Sequence, residues 1–112
     1  MKTLTIGDLK ARIPIIQGGM GVGISLSGLA SAVANEGGIG VISAAGLGLL
    51  YKKLSPSNYT EAGNLGLAEE IRKAREKAKG IIGVNVMVAL SDFAELVKTS
   101  IAEKADIIFS GA

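Results

Sequence analysis

The sequence predicts an α/β fold built on a parallel sheet. Two observations point there. Short, β-branched apolar runs of strand length alternate with longer segments whose apolar residues recur at helical spacing. The apolar runs are also nearly continuous rather than alternating, as expected of strands buried on both faces.

The first run is residues 13–17, with Pro14 near its start, where a strand tolerates it. A helix follows, with Leu26, Leu29, Ala30, Val33 and Ala34 on one face, Ser25 or Ser27 as candidate cap, and Gly37-Gly38 as a left-handed stop. The second strand is residues 39–43. Residues 46–63 are rich in Gly, Ser, Pro and Asn without clear period and read as a long loop with one short turn at 49–54. Leu67, Ile71, Ala74 and Ala78 mark a second helix, with Glu69 and Lys73 paired on its outer face and Gly80 ending it. The third strand is residues 81–86. Phe93, Leu96, Val97, Ser100 and Ile101 mark a third helix, capped by Ser91, and residues 106–110 form the fourth strand.

Such alternation implies right-handed βαβ units. A doubly wound sheet and a (βα)8 barrel both fit. A barrel takes about 250 residues, or ~31 per unit, so this length holds roughly half of one. Residues 1–112 thus read as one α/β domain of about four parallel strands and three helices, with no second domain, and both architectures stay open at this point. Gly111-Ala112 directly follows an apolar run, which suggests part of a longer protein.

Composition narrows the chemistry. The 112 residues contain 12 Lys+Arg against 10 Asp+Glu, a net charge of +2, so no nucleic-acid footprint is expected. Absence of Cys and His removes disulfides, thiolate nucleophiles and the commonest metal ligands. No metal site is expected. Mean hydropathy is +0.43, yet no apolar run reaches the ~18 residues of a membrane span, and no secretory signal is visible. A cytoplasmic protein acting on a small molecule is the expectation. Glycine is the outlier, with 16 residues, about twice the usual ~7% share.

The glycines gather at strand ends. Gln17-Gly-Gly-Met-Gly-Val-Gly23 follows the first strand, Ser43-Ala-Ala-Gly-Leu-Gly48 the second and Ser110-Gly-Ala112 the last, while Asn85 lies near the end of the third. The C-terminal edge of a parallel sheet is where ligands bind. Glycines there allow close backbone approach to a ligand, or serve only as tight turns. Neither a G-x-G-x-x-G fingerprint nor a phosphate loop is present. Asn85, in an apolar run, is costly to bury alone, so it bonds a ligand or ties down a loop. Met20 and Met87 suit either the faces of a flat ring or gaps in the core. Tyr51 and Tyr59 read as exposed loop residues, with a lid as the alternative. Arg72, Lys73, Arg75, Lys77 and Lys79 share one helix with Glu69, Glu70 and Glu76 and read as a solvated face.

Pro14-Ile-Ile-Gln-Gly-Gly-Met-Gly21, Leu29-Ala-Ser-Ala-Val-Ala-Asn-Glu-Gly-Gly-Ile-Gly40, Gly83-Val-Asn-Val-Met87 and Asp106-Ile-Ile-Phe-Ser-Gly-Ala112 together resemble the nitronate monooxygenase (2-nitropropane dioxygenase) family, which includes flavin-dependent enoyl-acyl-carrier-protein reductases. The resemblance implies an FMN-binding (βα)8 TIM barrel, of which residues 1–112 would be the N-terminal half. It places the backbone of Gly18, Gly19 and Met20 against the flavin ring, Asn85 on its polar edge, and Ser43, Ser110 and Gly111 in the same pocket. It implies oxidation of alkyl nitronates with O2. The alternatives are NAD(P)H-dependent reduction of enoyl thioesters or quinones, or an inactive half-barrel. The family's phosphate-binding loops and catalytic histidine belong to the second half of the barrel, so no catalytic residue is assigned. A homo-oligomer is expected, to cover open sheet edges.

Overall fold

The computed structural model describes residues 2–112. Its centre is a three-stranded parallel sheet in the order β3-β4-β5, formed by Ile39–Ser43, Ile81–Met87 and Ile107–Gly111. The register pairs Ser43 with Asn85, and Asn85 with Phe109. Helices α1 (Ser27–Asn35), α3 (Tyr59–Lys77) and α4 (Phe93–Ala102) cover one face. Ala30, Ala34, Leu67, Ile71, Ala74 and Leu96 from these helices meet Ile42, Ile82, Val84 and Val86 from the strands. A Cβ on Gly40 would lie 1.9 Å from the Ala30 carbonyl oxygen, so only glycine lets α1 rest directly on β3.

The opposite face has its own lid. Strands β1 (Leu4–Ile6) and β2 (Leu9–Ala11) form an antiparallel hairpin. Ala11, Leu4 and Ile6 pack on Ile39, Val41, Ile81, Ile107 and Phe109 at the lower end of the sheet. The sequence reading had no element here. The signal was present: two short alternating runs separated by Gly7-Asp8, with Gly7 at φ +58°.

Residues 13–17 are not the expected full strand. They run beside β3 with one parallel bridge, Ile16 to Ile39. Gln17 N–H donates to Ile39 O at 3.0 Å and Ile39 N–H to Ile15 O at 2.9 Å. Pro14 has no N–H to give, and Ile15 N–H turns back to Ile13 O, so the ladder does not propagate. The fourth parallel strand is thus reduced to a bridged edge. The structure is an α/β unit on a three-stranded parallel sheet, and a complete barrel is absent among the described residues.

The expected loop over 46–63 contains a short helix α2 (Leu47–Leu50), a 3-10 turn (Lys52–Leu54) and the first turn of α3. Asn58 caps α3 by accepting the Glu61 N–H at 3.0 Å. Gly63 and Gly66 break the apolar period that would have shown this turn as helix, and at Gly66 a Cβ would lie 2.5 Å from the Tyr51 ring. In α1 the buried stripe is Ser27, Ala30, Ser31 and Ala34, while Leu29 is exposed. Neither proposed serine caps α1, nor does Ser91 cap α4. The N-cap residues are Leu26 and Asp92, without side-chain cap bonds. Gly37 takes the expected left-handed stop, at φ +96°.

The cationic face of α3 is more than solvated. Arg72 pairs bidentately with Glu103 at 2.8 and 2.9 Å. Arg75 reaches Asp106 at 2.6 Å and the carbonyl of Gly80 at 3.0 Å. Asp106 also accepts the Ile82 N–H at 2.9 Å, which starts the β4–β5 pairing. Lys73 turns toward Glu70 rather than Glu69. Asp106→Ala removes an acceptor shared by a cation and a backbone amide. It is expected to cost about 2 kcal/mol, read as a lower midpoint in equilibrium urea unfolding.

Candidate functional site

The pleat separates the expected site residues. Ser43, Asn85, Met87 and Gly111 share the parity of Val41, Gly83 and Phe109 and lie on the face away from the helices. Ser110 has the parity of Ile108, which packs on the helix side, so its side chain is not grouped with Asn85. Ser43 and Asn85 are direct partners at the C-terminal edge. Among the described residues, neither the Ser43 hydroxyl nor the half-buried Asn85 amide has a protein hydrogen-bond partner, and no fully buried side-chain polar atom is orphaned. Both groups therefore have uncommitted hydrogen-bonding capacity, Asn85 at a half-buried position and Ser43 at a buried one.

The glycine-rich loop lies across this pair. A Cβ on Gly19 would fall 2.7 Å from Asn85 Cβ and 3.3 Å from Val41 Cγ1. One on Gly21 would fall 2.9 Å from Ala45 Cβ and 3.3 Å from Ser43 Oγ. Gly18, by contrast, faces open space, as does Gly111. Met20 projects outward and is 62% exposed. Of the two proposed roles for these glycines, the close approach they permit is first to the protein's own Ser43 and Asn85.

Two side chains hold the loop: Gln17, to which the sequence reading gave no role of its own, and Ser25, which it offered as a helix cap. The Gln17 amide donates to Val41 O at 3.0 Å and accepts Val41 N–H at 2.9 Å. It supplies with a side chain the rung that the backbone gives up on turning away. Ser25, buried, accepts the Met20 N–H at 2.9 Å and donates to Gly18 O at 3.2 Å. Its own carbonyl accepts the Ser43 N–H at 2.8 Å, tying the loop to β3. The Met20 N–H is thus engaged within the loop and is not a donor for a ligand. The Gly19 N–H has no protein acceptor among the described residues.

A third support is Glu70 on α3, which the sequence placed on a solvated face and which is buried here. Its Oε1 accepts the Ser27 N–H at 2.8 Å, at the start of α1, and its Oε2 accepts the Tyr51 hydroxyl. Lys73 Nζ stands 3.8 Å from the same oxygen and 5.6 Å above the Tyr51 ring. Tyr51 is therefore a half-buried structural residue, not an exposed one, whereas Tyr59 is 52% exposed. Burial pushes the Glu70 carboxyl upward, but the hydrogen bonds from Tyr51 and Ser27, with Lys73 nearby, outweigh it and hold the group below the ordinary carboxylate range. Burial, then the Glu70 carboxylate, raises the Tyr51 hydroxyl above its ordinary value.

The residues present fit the ring end of a flavin. The edge offers a free amide, a free hydroxyl, an available backbone N–H, open space beside Gly18 and Gly111, and the exposed thioethers of Met20 and Met87. Asn85, Ser43, Gly19 and Gly111 would hold it. A cavity of about 510 Å³ is lined by Leu49, Leu50, Lys52, Lys53 and Pro56 and by neither Ser43 nor Asn85.

Gly19→Ala forces the loop off Asn85 and is expected to cost about 1–3 kcal/mol, whereas Gly18→Ala stays within about 0.5 kcal/mol. Urea unfolding of the two variants checks the contrast. The lowered Glu70 value means a contribution present at neutral pH and lost as the pH falls through the carboxylate range. The gap in melting temperature between the native chain and Glu70→Gln should therefore narrow between about pH 7 and about pH 3.

A profile of the nitronate monooxygenase family matches residues 2–109. No curated protein sequence matches the chain. Among solved structures, the chain is similar to FabK from Thermotoga maritima, with 28% identity and a TM-score of 0.66 over 88% of this chain. It spans 27% of the FabK chain. With the family profile running over nearly all its length, and the motifs at 14–21, 83–87 and 106–112 meeting at one sheet edge, the chain belongs to the nitronate monooxygenase family.

Proposed function

We propose that this chain forms the flavin-ring side of the active site of an FMN-dependent oxidoreductase that oxidises alkyl nitronates with O2. The observation that carries the reading is the uncommitted Ser43–Asn85 pair beneath the glycine-rich loop, on the sheet edge where α/β enzymes bind ligands. Bound FMN supplies the redox chemistry. The Asn85 amide offers donors and an acceptor to the polar edge of the ring, and Ser43 adds a hydroxyl beside it. The Gly19 N–H offers a fixed backbone donor whose direction the Ser25 bonds set. Met20 and Met87 bring apolar surface that keeps water from the ring. No residue of this chain is assigned as the base.

A second reading is reduction of enoyl thioesters with NAD(P)H as co-substrate. The likeness to FabK favours it, as does the motif resemblance to flavin-dependent enoyl reductases. Quinone reduction would use the same site. We also take the protein to be a cytoplasmic homo-oligomer acting on a small molecule. Exposed Ile15, Ile16, Leu29 and Ile101 support the association. No helix among the described residues is long and apolar enough to cross a membrane.

Titrating the chain with FMN and following the flavin absorbance tests the site. Asn85→Ala is expected to weaken binding about tenfold, the effect of one hydrogen bond. Unchanged affinity would remove Asn85 from the site. For the flavin-loaded protein, O2 uptake with an alkyl nitronate is the expected activity. Turnover only as NAD(P)H oxidation with an enoyl thioester or quinone would replace it with the second reading.

A further inference from the structure

Helix α1 follows the glycine-rich loop directly, yet no side chain of its own caps it. Its first N–H, at Ser27, is capped from a distance by the buried Glu70 carboxylate, 43 residues along the chain. The other oxygen of the same carboxylate accepts the Tyr51 hydroxyl, at the junction of α2 and the 3-10 turn. A carboxylate is acceptor-only and has two oxygens, and here each oxygen serves a different segment. The two segments also touch. Val22 packs where a Cβ on Gly46 would be, and Leu50 lies 3.5 Å from the Cβ position of Gly23. Two residues before Ser27, Ser25 closes the loop onto Gly18 and Met20.

We propose that Glu70 is a positioning residue that holds the glycine-rich loop and residues 47–54 together as one unit over the Ser43–Asn85 edge. Its functional consequence rests on the flavin reading above; the coupling of the two segments does not. A buried carboxylate is retained only where its partners compensate the lost hydration. Ser27, Tyr51 and Lys73 do so here. Glutamine in its place keeps an acceptor for the Ser27 N–H, but it must reverse the Tyr51 bond by donating to the hydroxyl oxygen, and it brings no charge to face Lys73.

Amide hydrogen exchange of the full chain, without ligand, reads the coupling. Glu70→Gln and Tyr51→Phe are each expected to speed exchange on the order of tenfold in both residues 18–25 and residues 47–54, with β4 amides little changed. Asp106→Asn, at the other end of the sheet, should lower stability and leave the ratio of loop to β4 exchange as it is. If Tyr51→Phe speeds exchange only in 47–54, the segments are independent and the proposal fails. Should Glu70→Gln not fold, Tyr51→Phe alone decides. FMN titration of the same proteins reads the consequence. A native chain that binds FMN, with Tyr51→Phe weakened about tenfold and the flavin band shape altered, supports positioning. Equal affinity and an unaltered band despite faster exchange overturn it. A native chain that does not take up FMN removes the flavin reading, and the exchange data still decide the coupling.

Discussion

Parallel pairing of β3, β4 and β5 is the constraint on which everything else depends. Parallel strands need crossover helices, and the helices cover one face of the sheet. The same pairing brings the C-terminal ends of all three strands to one edge. Ser43, Asn85 and Gly111 come from positions up to 68 residues apart in the chain and meet there through register alone. Moving β4 by one residue would exchange its faces and place Asn85 among the helices.

The two ends of the sheet do different work. At the N-terminal end the β1–β2 hairpin seals the face away from the helices, and Asp106 joins Arg75 to the first rung of β4. Those contacts are satisfied and hold the fold. At the C-terminal end the glycine-rich loop covers the same face, and the Ser43 hydroxyl and Asn85 amide beneath it have no protein hydrogen-bond partner among the described residues. What is rigid there is the loop above them, held by Gln17, Ser25 and, through Ser27, by Glu70. A stable base with a preorganised upper edge is the division of labour that suits a barrel-type enzyme.

Much of this was legible from residue patterns. The strands at 39–43 and 81–86 and the buried stripe Leu67, Ile71, Ala74, Ala78 follow directly from β-branched runs and helical period. Asn85 stood out because an amide in an apolar strand needs a reason. The errors have physical causes too. Pro14 and the turned-back Ile15 N–H ended a strand that hydropathy alone favoured. Gly66, required by the Tyr51 ring, and Gly63 interrupted the apolar period that would have shown the start of α3. The Gly7-Asp8 hairpin was readable, but its three-residue strands are too short to show a strong period.

By itself, then, the sequence determined the alternation of strand and helix, the edge on which polar and small residues gather, and the family, since all of these follow from local pattern and motif order. Only the tertiary structure decided which face each residue takes, that Ser110 parts from Asn85, and that Gly19 rests on Asn85. It also decided that Gln17, Ser25 and Glu70 are the supports of the site. Their roles are hydrogen bonds to backbone groups as far as 43 residues away, and no local periodicity encodes a partner at that distance.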